Sequence, residues 1–326
     1  MSEDSIKKLY IEPTSKCNLN CSICFRNSWI NEELGMMDID IAKKLWESIR
    51  FYSGIEKVIF AGMGEPLLHE RIVDMIRQSS KIAPRIEIIT NATLLDENMC
   101  IELIEAGLTH LWISIDDYHF ESANNTNALK NIEHFNHIRK NKCKLGLSFV
   151  LVNPDYDDLK HIQALAKRLG ADDINISQSI PCQKIDNLCY NEDFPVGKRY
   201  LSNIFETAER KLNYCPFVEE SSVFIKWNGD IVPCMQLLHS SYTYLFDEKR
   251  EVSAYSFGNI FKNNIIDIWN SLEYREFRER VRNFDFPDCT LCNGCDDRKS
   301  NRTDCMYNQM PTCGACLWAQ NIARCP

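Results

Sequence analysis

The sequence lacks any long apolar segment. It has no run of about 18 consecutive apolar residues, the length that would indicate a membrane-spanning helix. Its N-terminus has no apolar stretch of the kind that directs secretion. We therefore expect a cytoplasmic protein that has no membrane partner.

Basic residues are also in the minority. The 326 residues include 37 Lys and Arg against 46 Asp and Glu, which gives a net charge of −9. A nucleic-acid partner would require a basic face to meet the phosphate backbone. We therefore expect no nucleic-acid partner, whereas a protein partner needs only local charge complementarity.

Cysteine, in contrast, is abundant, with 16 in the chain. Disulfide scaffolds are typically short and secreted, and this chain is neither short nor preceded by a recognisable signal peptide. Several of its cysteines stand in close Cys-x2-Cys pairs, a spacing typical of metal ligands. The sequence therefore predicts metal centres rather than disulfides.

Residues 17–24 carry three cysteines in the spacing Cys-x3-Cys-x2-Cys, directly after a strand-like run. A loop this short can wrap three corners of an iron–sulfur cube. No fourth cysteine is nearby, so one iron would stay open to an outside ligand. The alternative is a structural zinc knuckle, although such zinc sites are closed by four ligands.

The first two-thirds of the chain alternates strand-like and helix-like segments, a pattern typical of parallel βα units. The predicted strands are residues 9–13, 57–61, 86–90, 110–115, 144–152 and 173–177. The predicted helices are residues 38–51, 71–81, 96–106, 129–140, 156–169 and 205–212. Six βα units fall short of the eight in a closed barrel. The alternation stops near residue 180, and we predict two domains, 1–195 and 196–326.

Polar and glycine-rich residues follow three of the predicted strands. Gly62-Met63-Gly64-Glu65-Pro66 follows the second strand, and glycines there let backbone groups approach a ligand closely. Asn91 ends the third strand, and Ser114 and Asp116 end the fourth, where side chains face the mouth of a barrel. The alternatives are an ordinary turn at residues 62–66 and helix capping by Asn91 or Asp116.

The C-terminal third holds nine further cysteines. These are Cys215, Cys234, Cys289, Cys292, Cys295, Cys305, Cys313, Cys316 and Cys325. Trp227-Asn228-Gly229-Asp230 predicts a hairpin between the first two of them.

Four other cysteines are isolated in the sequence. Cys100 and Cys143 lie in or beside predicted elements and are expected in the core. Cys182 and Cys189 border an irregular stretch and are candidates for lining an active site.

The cysteine loop, with Phe25 directly after it, resembles the signature of the radical SAM enzymes. Residues 62–66 resemble the Gly-Gly-Glu-Pro motif of that family, with Met63 as a departure between the glycines. The resemblance implies a core that is an open, partial (β/α)6 barrel. It also implies a 4Fe–4S cluster whose open iron chelates S-adenosylmethionine (AdoMet).

The same resemblance implies roles for individual residues. The cluster ligands would be Cys17, Cys21 and Cys24. Residues that would bind AdoMet or support the cluster loop are Phe25, Arg26, Gly62, Met63, Gly64, Glu65, Asn91, Ser114 and Asp116.

The pattern Cys215-x13-Gly229-x4-Cys234, with the later cysteine pairs, resembles a SPASM domain. It implies a small cysteine-rich α+β domain that holds two auxiliary 4Fe–4S clusters, for which nine cysteines offer the eight ligands needed. The spacing after Cys289 departs from the usual SPASM order, so the sequence does not indicate which cysteines bind which cluster. Zinc is an alternative, because four-cysteine zinc sites use similar spacing. Relatives that oxidise serine or cysteine have an acidic residue where Met235 stands, so no general base is predicted here.

Residues 17–29, 62–69, 111–116 and 311–320 resemble one subgroup, the radical SAM maturases associated with tungsten-cofactor oxidoreductases of the aldehyde ferredoxin oxidoreductase type. The resemblance implies reductive cleavage of AdoMet to a 5′-deoxyadenosyl radical, which abstracts hydrogen from a protein or a protein-bound cofactor. It implies a low-potential electron donor such as ferredoxin or flavodoxin. One alternative is a maturase of a ribosomally made peptide. Another is a non-catalytic iron–sulfur electron carrier or scaffold, which would need no AdoMet pocket.

Overall fold

The computed structural model describes residues 5–115, 123–151, 156–178, 197–200, 212–245, 248–289, 292 and 294–320. The strands are β1 (Lys8–Ile11), β2 (Lys57–Phe60), β3 (Arg85–Thr90), β4 (His110–Ile115), β5 (Lys144–Leu151), β6 (Asp173–Gln178), β7 (Gly197–Tyr200), β8 (Ser222–Ile225), β9 (Asp230–Val232), β10 (Ser241–Leu245), β11 (Glu248–Val252) and β12 (Gly258–Asn259). The α-helices are α1 (Ile39–Ile49), α2 (Ile72–Ser79), α3 (Glu97–Glu105), α4 (Ala123–Arg139), α5 (Tyr156–Arg168), α6 (Pro216–Glu219), α7 (Ile265–Trp269) and α8 (Leu272–Asn283).

Strands β1 to β6 are parallel neighbours in one sheet, and a helix lies between each successive pair. The six predicted strands are therefore confirmed. Helix α1 illustrates the packing: Ile41, Leu45 and Ile49 repeat along one face and are buried, while the Asp38 carboxylate accepts a hydrogen bond from the Asp40 amide at its start. Helix α4 begins at Ala123, earlier than predicted.

The sheet has ten strands in the order β12-β9-β8-β1-β2-β3-β4-β5-β6-β7. Strand β7 runs antiparallel to β6 at one edge. Among the described strands, no pairing joins β7 to β12, so the predicted open barrel is confirmed. In the same part of the chain, no helix has the length and apolar character needed to cross a membrane.

The C-terminal region continues the core sheet. Strand β8 pairs in parallel with β1, with Lys8 opposite Ser222. The predicted hairpin is confirmed, because β8 and β9 pair antiparallel around a turn in which Gly229 has φ +87°. The boundary near residue 195 and most of the predicted helix 205–212 lie outside the described residues, so the two-domain division stays a prediction.

Parallel strands place their carboxyl ends at one edge of a sheet. Here that edge gathers residues 12–24 after β1, residues 61–66 after β2 and residues 91–93 after β3. The three predicted motifs therefore meet.

Candidate active site

The cysteine loop is a compact turn braced by Arg26. The Cys24 amide donates to the Cys21 carbonyl (3.1 Å), and Arg26 Nη2 donates across the loop to the Leu19 carbonyl (2.8 Å). Phe25 begins a 3₁₀ turn, Phe25–Ser28, and is half-buried. The structure therefore gives Arg26 the loop-bracing role that the sequence allowed for it.

The thiols of Cys17 and Cys24 accept hydrogen bonds from nitrogen. Leu19 N lies 3.4 Å from Cys17 Sγ, and Arg26 Nε lies 3.4 Å from Cys24 Sγ. Burial raises the pKa of the Cys17 thiol, while the Leu19 amide and the Arg26 charge act to lower it. Donors aimed at sulfur suit a thiolate bound to iron, whose charge they offset.

The Gly62–Pro66 segment lies directly against the start of the cysteine loop. A Cβ on Gly64 would lie 2.3 Å from the Thr14 carbonyl oxygen and 2.4 Å from the Lys16 carbonyl oxygen. The Glu65 amide donates to that same Lys16 oxygen (2.8 Å). Only glycine fits at position 64, because the two backbones touch there.

The Glu65 side chain faces inward and joins two strand ends. Its carboxylate accepts hydrogen bonds from the Thr90 hydroxyl (2.7 Å), the Asn91 amide (2.8 Å) and the Leu67 amide (3.0 Å). Glu65 is 2% exposed, and burial raises its pKa. Its carboxylate is thus a structural anchor, which leaves the backbone of residues 62–65 to meet a ligand.

Asn91 is tied to the cysteine loop. Its side-chain amide lies 3.0 Å from Asn18 Oδ1 and 3.8 Å from Cys17 Sγ. Helix α3 is capped by Asp96, which accepts from the Met99 amide, so the capping alternative for Asn91 was wrong. Ser114 lies in β4 and is half-buried, whereas Asp116 falls outside the described residues.

Replacing Asn91 with alanine is expected to weaken AdoMet binding about tenfold while leaving the cluster's absorption in place. The variant loses two contacts to the loop but no thiol, and hydrogen bonds of this kind contribute about 1 kcal/mol each. Equilibrium binding under anaerobic conditions measures the change. The matched control is Asn131→Ala, because the Asn131 amide donates to the neighbouring Ala92 carbonyl (2.8 Å) without touching the loop. Equal affinity in the two variants would contradict the prediction.

Four C-terminal cysteines form a first group. They are Cys215, Cys234, Cys313 and Cys316. Burial raises the pKa of each, and the neighbouring thiols of the group raise the pKa of Cys215, Cys234 and Cys313 further. The Tyr214 amide donates to the Ala319 carbonyl (3.2 Å), which holds the start and the end of this region together.

A second group follows on from Cys289. Cys292 and Cys305 lie near enough to act on the Cys289 thiol, and Cys295 is added because it follows Cys292 with the spacing Cys-x2-Cys. Burial raises the pKa of Cys289 to about 11. The Arg250 charge acts to lower this pKa, whereas the thiols of Cys305 and Cys292 raise it, each by less than burial does. The two groups adjoin, since the Cys289 amide donates to the Gly314 carbonyl (3.2 Å). Cys325 lies outside the described residues.

Two buried arginines support this second group. Arg298 donates to the carbonyls of Cys289 and Cys292, and its charge is met by Glu248 (2.9 Å). Arg250 donates to the Arg298 carbonyl (3.1 Å), and burial lowers its pKa against the opposing effect of nearby thiols. A buried cation next to a set of thiols favours their charged form.

The remaining cysteines divide by position. Cys100 and Cys143 are buried in the core, as predicted. Cys182 and Cys189 lie outside the described residues. In the described part of the chain, no three Cys, His, Asp or Glu side chains converge as they would around a single metal ion.

Sequence reasoning missed a charged group beside the site. Glu12, Glu32, Lys226 and His239 meet beneath the Gly62–Met63 segment, and each is at most 12% exposed at its side chain. No spacing signal connects these residues, because they come from distant parts of the chain.

Comparison with known families identifies the superfamily. Residues 11–166 match the model of the radical SAM superfamily, and residues 215–296 match SPASM, an iron–sulfur cluster-binding domain. A Pyrococcus furiosus protein named "Tungsten-containing aldehyde ferredoxin oxidoreductase cofactor-modifying protein" is 31% identical over 98% of this chain and 97% of its own length. The chain is a radical SAM protein.

More distant relatives share parts of this radical SAM protein. The GTP 3',8-cyclase of Clostridium acetobutylicum is 32% identical over 60% of this chain and 58% of its own length. The PqqA peptide cyclase of Granulibacter bethesdensis is 26% identical over 50% of this chain and 44% of its own length.

Solved structures agree on the fold. The protein titled "Native anSMEcpe with bound AdoMet" has a TM-score of 0.61 at 17% identity and covers 90% of each chain. Streptococcus suis SuiB bound to S-adenosylmethionine has a TM-score of 0.60 at 17% identity and covers 84% of this chain and 68% of its own.

Membership in the superfamily confirms several predictions at once. The protein is an enzyme rather than a non-catalytic carrier or scaffold, and its cofactors are 4Fe–4S clusters and AdoMet. The cysteine loop fits the catalytic cluster, because its three thiols stand at the sheet edge where the Gly62–Pro66 backbone also lies.

Proposed function

We propose that this radical SAM protein matures a tungsten-containing aldehyde ferredoxin oxidoreductase by modifying its protein-bound cofactor or its polypeptide. One observation carries the proposal. The match to the Pyrococcus furiosus cofactor-modifying protein runs through 98% of this chain and 97% of the relative, so it includes the C-terminal cysteine region as well as the core.

In this proposal, Cys17, Cys21 and Cys24 hold the catalytic cluster, and Arg26 braces the loop that carries them. The backbone of residues 62–65 binds the amino-acid end of AdoMet, because Gly64 keeps that backbone against the loop. Ser114 lies further along the same sheet edge, and Asp116 stands two residues after it.

A cluster held by Cys17, Cys21 and Cys24 would supply the electron for reductive cleavage of AdoMet to methionine and a 5′-deoxyadenosyl radical, which would take a hydrogen atom from the substrate. The protein's own part is to hold cosubstrate and substrate in register and to keep water out. The electron comes from a low-potential donor of the ferredoxin or flavodoxin class.

We divide the auxiliary ligands by their grouping in space. Cys215, Cys234, Cys313 and Cys316 are assigned to one cluster, since their charges influence one another. The second cluster takes Cys289, Cys292 and Cys305, which lie near one another, together with Cys295, which follows Cys292 with the spacing Cys-x2-Cys. This division uses eight of the nine cysteines and leaves Cys325 without a ligand role.

A second candidate function is maturation of a ribosomally made peptide. Relatives favour it: the PqqA peptide cyclase matches half of the chain, and SuiB has also been solved bound to its precursor peptide SuiA. Both candidates use the same AdoMet chemistry and differ only in the substrate.

Co-expression separates the two functions. A tungsten oxidoreductase from the same genome, produced with this protein, is expected to differ in intact mass, tungsten content or aldehyde-oxidising activity from the oxidoreductase produced alone. Co-expression with the Cys17→Ala variant is the matched control. The oxidoreductase produced with this variant should have the same mass, tungsten content and activity as the oxidoreductase produced alone. If all three properties are unchanged and a co-encoded short peptide is modified instead, the peptide function replaces the proposed one.

A further inference from the structure

A buried histidine of the C-terminal region lies between two carboxylates of the core. His239 Nε2 lies 2.9 Å from Glu12 Oε1, and His239 Nδ1 lies 2.8 Å from Glu32 Oε2. Lys226 Nζ contacts the same Glu32 oxygen at 2.9 Å. The His239 side chain is fully buried, and those of Glu12 and Glu32 are 1% and 12% exposed.

With both carboxylates ionised, these contacts require a doubly protonated imidazole. An ionised carboxylate can only accept hydrogen bonds, so both ring nitrogens of His239 must carry a proton to bond both partners. Hydrogen bonds from His239, the Ser240 amide and Lys226 lower the pKa of Glu32 to about 2, although burial alone would raise it. Two carboxylates then face two cations, which makes the buried group neutral as a whole.

Glu12 connects this group to the segment proposed to bind AdoMet. The Met63 amide donates to Glu12 Oε1 (3.1 Å), the same oxygen that His239 contacts. A Cβ on Gly62 would lie 2.5 Å from Glu12 Cγ, so the Gly62 backbone rests directly on that side chain. We therefore expect a shift of the Glu12 side chain to displace residues 62 and 63.

The surrounding contacts hold the imidazole in a fixed plane. Trp29, at the end of the cysteine-loop turn, stacks on the His239 ring with centroids 4.2 Å apart and planes 21° apart. The Ile30 amide donates to the Ser240 carbonyl (2.9 Å), so the chain after the cysteine loop pairs with the chain after His239. A glutamine at position 239 would lack the positive charge that lies between the Glu12 and Glu32 carboxylates.

We propose that His239, as an imidazolium held between Glu12 and Glu32, positions the Gly62–Met63 backbone for AdoMet, so that the C-terminal region completes the cosubstrate site of the core. The proposal rests on the proposed function, because it takes residues 62–65 as the AdoMet site. His239 is a positioning residue, since it acts through Glu12.

The proposal makes AdoMet affinity depend on the protonation of His239. The hydrogen bonds to Glu12 and Glu32 raise the pKa of His239 above its usual value, although burial alone would lower it and Lys226 opposes the rise. The positioning contact is therefore intact below the ordinary histidine pKa of about 6.5. It is lost as the pH rises through the higher pKa of the folded protein.

The test compares AdoMet binding to reconstituted wild-type protein, His239→Gln and Glu32→Gln between about pH 6 and pH 8. We expect His239→Gln to bind about tenfold more weakly at the acidic end, as for lost hydrogen bonds between charged groups, and to lack the part of the wild-type pH dependence due to His239. Glu32→Gln keeps the imidazole but removes one carboxylate, so the affinity should fall at a lower pH than in the wild type. The matched control is His134→Gln, which removes a half-exposed histidine and should retain the wild-type profile.

Three outcomes decide the matter. Unchanged affinity and an unchanged pH profile in His239→Gln, with the cluster's absorption intact, overturn the positioning role. If His239→Gln does not fold, Glu32→Gln is the test. A fall in its AdoMet affinity at a lower pH than in the wild type supports the positioning role, and an unchanged pH profile overturns it. If the wild-type protein itself does not bind AdoMet, the proposed function fails and the positioning role fails with it.

Discussion

Replacing Cys17, Cys21 and Cys24 together with alanine is expected to abolish formation of 5′-deoxyadenosine. The three thiols stand on one short loop at the edge where the Gly64 backbone meets Lys16, and together they are the proposed ligands of the catalytic cluster. Product is measured chromatographically after anaerobic reconstitution and reduction with dithionite.

The iron content of the same variant reports on the C-terminal region. It should fall from about twelve irons per chain, four for each of three clusters, to about eight. Cys100→Ala is the control, because Cys100 is a buried core residue and should keep both the product and the iron. Continued AdoMet cleavage in the triple variant would show that the catalytic cluster is not bound by this loop. Loss of all iron would instead mean that the C-terminal cysteines are not independent cluster ligands.

Gly64→Ala is expected to weaken AdoMet binding about 100-fold or more. The added methyl group would lie 2.3 Å and 2.4 Å from two backbone carbonyl oxygens, at Thr14 and Lys16, and neither can swing aside as a side chain could. The Gly64 backbone must then withdraw from the cysteine loop, and the loss of two backbone hydrogen bonds to a charged ligand, at about 1.5 kcal/mol each, corresponds to about 100-fold in affinity.

Met63→Ala is the control for this experiment. It alters the neighbouring residue without adding an atom to the backbone contact, and the Met63 amide keeps its bond to Glu12. Equilibrium binding of AdoMet to both reconstituted variants gives the comparison. Affinities within about twofold of each other would show that the close approach at Gly64 does not matter for binding.

The core strands could be predicted because a parallel strand that is buried on both faces has a simple signature. Strand β4, His110–Ile115, is a short, mainly apolar run and was predicted with the bounds it has. The start of α4 was predicted too late. Residues 123–128 are rich in asparagine and show little apolar periodicity, so nothing in them predicted a helix.

Other features depend on contacts between distant residues. The turn at Gly229 predicted that β8 and β9 would pair, but no local pattern indicates that β8 would then lie beside β1. His239 and Glu12 are separated by 227 residues and share no motif. The grouping of the C-terminal cysteines likewise follows from how the chain folds back, not from their spacing.

The place of β1 in the sheet has a consequence for the order of folding. Strand β1 is made first on the ribosome, yet one of its two neighbours is β8, which is made long after the other core strands. Until β8 arrives, that side of β1 is an unpaired edge open to association with other chains. Contacts between such distant segments form slowly. The strand that leads into the cysteine loop therefore gains its second neighbour only after the C-terminal region has been made, and we expect the loop to be held fully in place only then.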